Sequence, residues 1–265
     1  MHDSAATSQV TGVPLQARLI IDRPQSGAWN MALDQALLEC ADTSRQVVLR
    51  FYQWSEPTLS LGYFQRLASR SEHQASQTSA IVRRPSGGGA ILHDRELTYS
   101  LVVPADARGT QLYDSRDTGA LYRRVHESLI ELLAELGATA RLCAQASSEA
   151  RADQPFLCFQ RRAVGDVLLG DYKIAGSAQR RFRGTILQHG SILLRRSASA
   201  PELPGIADLS PFELSAEELT ERWLPKLTRA LELECQAGVV SAGETARAEE
   251  LVRTRYGSSE WTALK

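Results

Sequence analysis

Apolar positions recur along this chain with two spacings. Trp29, Leu33, Leu37 and Cys40 fall on one face of a helix predicted from Gly27 to Ala41. Leu121, Val125, Leu129 and Leu132 do the same for a longer helix predicted from Leu112 to Leu136, which Gly137 stops. Arg66–Gln77 reads as a polar helix, and Glu217–Leu233 and Gly243–Tyr256 as closing helices. Short apolar runs predict strands at Ala17–Asp22, Val47–Tyr52, Thr58–Leu61, Ala80–Val82 and Ala90–Leu92, and strands dominate from Ala138 to Leu194. Strands and helices mix without a regular βαβ rhythm, so the fold class is α+β. No repeats occur. Residues 1–14, rich in Ser, Thr and Ala, read as a disordered segment. Residues 15–262 read as a single domain with a helical tail from about 215.

One loop breaks this pattern in a way packing does not explain. Arg83-Arg84-Pro85-Ser86-Gly87-Gly88-Gly89-Ala90 is followed closely by His93-Asp94. Three consecutive glycines bury no side chain and lose much backbone entropy on folding, so they belong where the backbone turns sharply against something else. The two arginines and Ser86 offer charge and donors to an anionic or carbonyl-bearing ligand. The glycines lie between two predicted strands and match neither phosphate-binding glycine pattern, which excludes a common nucleotide cradle. A glycine-rich hairpin with a charged shoulder is the plain alternative.

Composition narrows the function classes. A hydrophobic content of 43% with 23% charged residues describes an ordinary globular protein. No apolar run approaches the roughly 20 residues that span a membrane. The net charge of −1 argues against a general nucleic-acid binder. Neither a membrane nor a nucleic acid is therefore an expected partner. Residues 156–200 carry net +6, however, and residues 202–250 net −7. Solvated strand edges and an acidic tail explain part of that asymmetry, and a positive rim around a site explains the rest. The four cysteines, Cys40, Cys143, Cys158 and Cys235, lie far apart, and no apolar signal segment opens the chain. They read as reduced thiols of a cytoplasmic protein. No Cys-x-x-Cys pair supports zinc, so no metal site is expected. Cys40, Cys143 and Cys235 read as packing residues; Cys158, between Leu157 and Phe159, is on its own terms another buried thiol.

A second motif follows in Gly170-Asp171-Tyr172-Lys173-Ile174-Ala175-Gly176-Ser177-Ala178-Gln179, then Gln188-His189-Gly190-Ser191 on the next predicted strand. Together with the 83–90 loop and His93-Asp94, this series resembles the lipoate–protein ligase and octanoyltransferase family. Asn30-Met31-Ala32-Leu33-Asp34 and Tyr256-Gly257-Ser258-Ser259-Glu260-Trp261 add to the likeness, which spans roughly residues 15–262. The resemblance implies a biotin/lipoate-ligase-like catalytic domain, a central mixed and largely antiparallel sheet flanked by helices. His93-Asp94-Arg95-Glu96-Leu97-Thr98-Tyr99-Ser100 lacks the Gly-Asn pair of the ligases and looks like the cysteine-dependent octanoyltransferase branch.

That branch carries a nucleophilic cysteine upstream of its lysine motif, which implies Cys158 as nucleophile and Lys173 as its partner. The resemblance implies an octanoyl-acyl carrier protein donor, and a lipoyl domain or a glycine cleavage H-type protein as acceptor, with no cofactor. A free thiol near neutral pH needs a nearby cation to ionise, a task for Lys173. Backbone N–H groups of a Gly176–Ala178 turn would serve as an oxyanion hole. Arg83, Arg84, Ser86, Gly87, Gly88, Gly89, His93, Gly176, Ser177, Ala178, His189, Gly190 and Ser191 are the expected substrate-binding residues, with both histidines lining the site. Three other readings stay open on these residues: an ATP-dependent ligase, an amidotransferase between carrier proteins, and an acyl-binding module without turnover.

Overall fold

A computed structural model describes residues 14–107, 119–146 and 154–265. The disordered segment expected at the N-terminus and the start of the long helix predicted from Leu112 lie outside the described residues. The chain opens with β1 (Leu15–Ile21), α1 (Gly27–Ser44), β2 (Val47–Tyr52) and β3 (Thr58–Leu61). The Ser26 hydroxyl accepts the Trp29 N–H to start α1, and Arg45 ends it in the left-handed conformation (φ 56°). Then come β4 (Ala80–Arg83), β5 (Ile91–His93), β6 (Glu96–Val103), α2 (Ala120–Glu135) and β7 (Ala140–Leu142). The strands β8 (Val167–Leu169), β9 (Tyr172–Phe182) and β10 (Thr185–Leu193) follow. The chain closes with α3 (Ile206–Leu209), α4 (Ala216–Leu231), β11 (Leu233–Ala237), α5 (Ala242–Leu251) and α6 (Ser259–Thr262). Ser215–Glu218 and Ser241–Glu244 form capping boxes at the starts of α4 and α5.

Eight strands form the main sheet in the order β11-β1-β2-β6-β10-β9-β8-β7. Only β11–β1 and β1–β2 are parallel, so the sheet is mixed and largely antiparallel, as expected. One face packs on α2 and α4, where Leu121, Val125, Leu129 and Leu132 meet Trp223 and Leu227. The other face packs on α1 and α5 through Leu33, Leu37 and Leu251. A small sheet, β4-β3-β5, lies apart from the main one. The two strands that flank the glycines both pair with β3 and not with each other. The glycine loop is therefore a crossing over β3 and not a hairpin.

Three expectations need correction. Arg66–Gln77 forms two 3₁₀ turns, Leu67–Glu72 and Gln74–Ser76, because the segment has no apolar stripe to hold a longer helix. The tail is not wholly helical. Glu232 takes φ 53° and ends α4, and the alternation Leu233, Cys235, Ala237 then builds an edge strand along β1. The last predicted helix keeps its α-form only to Leu251, and Val252–Tyr256 widens into a π turn.

Candidate active site

A cavity of about 340 Å³ crosses the main sheet under the small one. Its floor is a cross-strand row: Gly176 pairs with Ser191, Ser191 with Thr98, and Thr98 with Tyr52. Neighbouring strands stand about 4.8 Å apart, so these four strands make a trough on the order of 14 Å long. Arg84, Gly87, Gly88, Ile91 and His93 roof it. Met31, Tyr52 and Trp54 close the β2 end; Cys158, Phe159, Asp166 and Lys173 occupy the β9 end.

Lys173 reaches the cavity through an irregularity of its strand. Val167 pairs with Ala175 but Leu168 pairs with Lys173, so Ile174 bulges out of the ladder. The bulge re-aims Lys173. Its side chain then lies over Gly176, where a Cβ would stand 2.5 Å from Lys173 Cε. Lys173 Nζ donates to Asp166 Oδ2 at 2.9 Å and stands 4.0 Å from Cys158 Sγ. Asp166 Oδ2 also accepts the Ala163 N–H at 2.7 Å, which holds the carboxylate in place. Both partners of the ion pair are buried.

Cys158 arrives from a different element. It begins a 3₁₀ turn, Cys158–Gln160, docked on the glycine loop. The Cys158 N–H donates to the Ala90 carbonyl at 2.6 Å, and the Ala90 N–H to the Phe156 carbonyl at 3.1 Å. Gly88 faces the sulfur, since a Cβ there would lie 3.8 Å from Sγ. Gly88 also has φ 96°, a conformation that favours glycine. Arg84 stays beside them as a buried cation. Burial lowers its guanidinium to about 10, and attraction to Cys158 partly offsets that.

Of the thirteen expected binding residues, ten line the cavity: Arg84, Gly87, Gly88, His93, Gly176, Ser177, Ala178, His189, Gly190 and Ser191. Three do not. Arg83 turns away and donates to the carbonyls of Gly62, Tyr63, Gln65, Trp261 and Thr262, so it ties chain segments together and offers nothing to a ligand. Ser86 Oγ is spent on His189 Nε2 at 2.8 Å. Gly89 is covered by the Arg161 guanidinium, with 2.8 Å between a built Cβ and Arg161 Cζ. Arg84 is itself engaged. It donates to the carbonyls of Ser60, Gly87 and Gly89 and so shapes the loop.

The turn expected at Gly176–Ala178 is also corrected. Gly176–Ser177–Ala178 is the unbroken middle of β9, paired with β10, and not a turn. The Ser177 hydroxyl is taken by Tyr99 OH at 2.6 Å and His126 Nε2 at 2.7 Å.

Both site histidines sit in buried networks. His93 Nδ1 and Glu96 Oε1 are 2.7 Å apart, its Nε2 meets Ser60 Oγ at 2.8 Å, and its ring stacks on Trp54 at 3.8 Å. Burial lowers the His93 pKa despite the adjacent Glu96. His189 Nδ1 lies 3.4 Å from Asp34 Oδ2, and Asp34 also accepts from Arg50, Tyr52 and Ser100. Burial pushes Asp34 up, but His189, Arg50 and Ser100 outweigh it and hold the carboxyl below its usual range.

Sequence reasoning missed Asp166, Trp54, Thr98 and His126. Asp166 was visible as one of two acids in a basic stretch, seven residues before Lys173. His126 faces inward from α2 to the Gly165 carbonyl and Ser177, and nothing in its helix pattern marks it.

The site is a mostly apolar trough with a thiol and an ammonium at one end. The chain belongs to the lipoyl protein ligase A/B catalytic domain family, which matches residues 26–202. The octanoyltransferase LipM of Brevibacillus brevis is 34% identical over 93% of this chain and 98% of its own length. That of Kyrpidia tusciae is 34% identical over 94% and 98%. Among solved structures, lipoate-protein ligase A bound with ATP superposes with a TM-score of 0.75 at 20% identity, covering 94% of this chain and 99% of that one. A bi-partite lipoate protein ligase from Thermoplasma acidophilum gives 0.73 at 20% identity, over 94% and 96%. These two establish the fold. Among the described residues, no helix is long and apolar enough to cross a membrane.

Proposed function

We propose that this chain is an octanoyltransferase of lipoate biosynthesis that works through a thioester on Cys158. The observation that carries the reading is the 4.0 Å approach of Lys173 Nζ to Cys158 Sγ at the end of the trough. The donor is octanoyl-acyl carrier protein, and the acceptor is a lysine of a lipoyl domain or H-type protein, in the cytoplasm. The Cys158 thiolate attacks the thioester carbonyl, and the donor's sulfur leaves with a proton from Lys173. The acyl group remains on Cys158 as a thioester of similar energy. The acceptor amine then attacks that carbonyl, gives its surplus proton to Lys173, and expels the Cys158 thiolate as the amide forms.

Each neighbour has a part in this scheme. Lys173 lends positive charge to both the thiolate and the developing oxyanion. Arg84 adds a second buried cation behind the glycine loop. Asp166 fixes the ammonium where it is needed. The octanoyl chain lies along the floor row toward Trp54.

The test is intact mass after mixing the protein with octanoyl-acyl carrier protein, without ATP. Wild type gains one octanoyl group that hydroxylamine removes, and Cys158→Ser gains none. Acceptor modification that needs ATP and free acid, regardless of Cys158, refutes the reading and restores the ligase.

A further inference from the structure

A second cavity, of about 420 Å³, lies across the glycine loop from the first. Gly88 borders both. Because Gly88 faces Cys158 Sγ, the nucleophile stands where the two spaces adjoin. A thiol that attacks a thioester must accommodate two groups, the acyl chain on one side of the carbonyl and the departing thiol on the other. The apolar trough suits the acyl chain. The second cavity has a different chemistry. Arg66 and Arg161 supply two guanidinium groups, Gln65 and Gln154 two carboxamides, Ser69 a hydroxyl, and Glu72 one carboxylate.

Arg161 is set in advance. Its guanidinium donates to the Pro155 carbonyl at 2.6 Å and to Gln154 Oε1 at 3.2 Å, and lies against Gly89. Arg66 is an exposed cation at the start of the first 3₁₀ turn. Two cations against one carboxylate leave the lining net positive.

Resting on the octanoyltransferase reading, we propose that this second cavity holds the phosphopantetheine arm of the thioester donor. The arm's two amides and hydroxyl match the carboxamides and hydroxyl of the lining, and its phosphate diester matches the arginines. Gly88 then has a reason beyond its backbone angle, since the arm passes between the two cavities over a residue that carries no side chain, and Gly89 leaves room for the Arg161 guanidinium that lines the second one.

The experiment compares kcat/KM for Cys158 acylation by octanoyl-phosphopantetheine and by octanoyl-N-acetylcysteamine, which lacks the phosphate end. Octanoyl-coenzyme A and octanoyl-acyl carrier protein run beside them to show which source of the arm is used. Wild type prefers the phosphorylated thioester. Arg66→Ala shrinks that preference about tenfold, through KM, as expected for one hydrogen bond to a charged group, and Arg66→Lys restores part of it. Arg66 is exposed, so its removal leaves the fold intact. An equal preference ratio in wild type and Arg66→Ala overturns the proposal while the transferase reading stands. Failure of every thioester to acylate wild-type Cys158 overturns both.

Discussion

Replacing Gly176 by alanine tests the site at its tightest point. The new Cβ would stand 2.5 Å from Lys173 Cε, 2.8 Å from its Nζ and 3.1 Å from Asp166 Oδ1, whereas ordinary contact begins at 3.4 Å. The lysine stem must therefore retreat by about 1 Å, and it can, because the clash is with the far end of a flexible side chain. The retreat disturbs both the bond to Asp166 and the approach to Cys158. A misplacement of about 1 Å at a reacting group costs on the order of 100-fold in rate. Stability is expected to change by less than roughly 1 kcal/mol, since alanine restricts the unfolded chain and the strand backbone accepts it. Single-turnover acylation of Cys158 read by mass, with urea unfolding alongside, measures both. Gly243→Ala, in α5 with no atom within 4 Å of the new Cβ, is the control. A Gly176→Ala enzyme that acylates at the wild-type rate refutes the claim that the ammonium position governs the chemistry. One destabilised by more than about 2 kcal/mol shows that the clash is absorbed by the backbone.

Asp166→Asn keeps the bulk but loses the charge that anchors Lys173. Acylation is expected to slow at least roughly tenfold, and urea unfolding to show a loss on the order of 3 kcal/mol because the buried Lys173 ammonium is left without its counter-charge; an undiminished rate counts against the anchoring role. Arg83→Met removes the donor to five backbone carbonyls in a buried place. Unpaired buried acceptors cost about 1–3 kcal/mol apiece, so a loss of several kcal/mol in urea unfolding is expected, and a near-neutral variant would show that water replaces the guanidinium. Burial lowers the folded-state pKa of His93 and of His126. Below their ordinary value the unfolded chain binds more protons, so their contribution is complete above about pH 6.5 and is lost as the pH falls below it. Asp34, held low in the folded state, adds its own loss at more acid pH. The urea midpoint should be flat from about pH 7 to 8 and fall below 6.5, more gently in His126→Gln; a flat profile to pH 5 refutes the assignment.

What the sequence disclosed follows a physical line. Long-period patterns such as Leu121–Leu132 and the antiparallel run of β8 to β10 were legible because local spacing decides them. The resemblance singled out Cys158 and Lys173 as a pair, and the structure brings them together. The route to that contact was not legible. It depends on the bulge at Ile174, a register event that only pairing with β8 defines. The small sheet was hidden for a similar reason, because β4 and β5 look like hairpin arms until β3 is placed between them. Strand β11 is five residues long and follows a helix directly, so its alternation was absorbed into the helix. Asp166 was counted only as charge because burial turns an acid into an ion-pair partner, and burial is a property of the fold.

The arginine pair shows how one motif divides its labour. Arg83 and Arg84 are adjacent, so on strand β4 and its exit they point to opposite sides. Arg84 goes into the glycine loop and shapes it through three carbonyls. Arg83 goes the other way, to the carbonyls of Trp261 and Thr262, and Trp261 Nε1 donates back to the Arg83 carbonyl at 2.9 Å. The Tyr256–Trp261 segment is thereby stapled to the strand that leads into the site. A segment remote in sequence from the cavity is in this way tied to the base of the glycine loop. Its role is to fix the base of the loop on which Ala90 holds Cys158 against Lys173. Cys158 and Lys173 come from separate elements, so their 4.0 Å separation depends on how rigidly that loop is anchored.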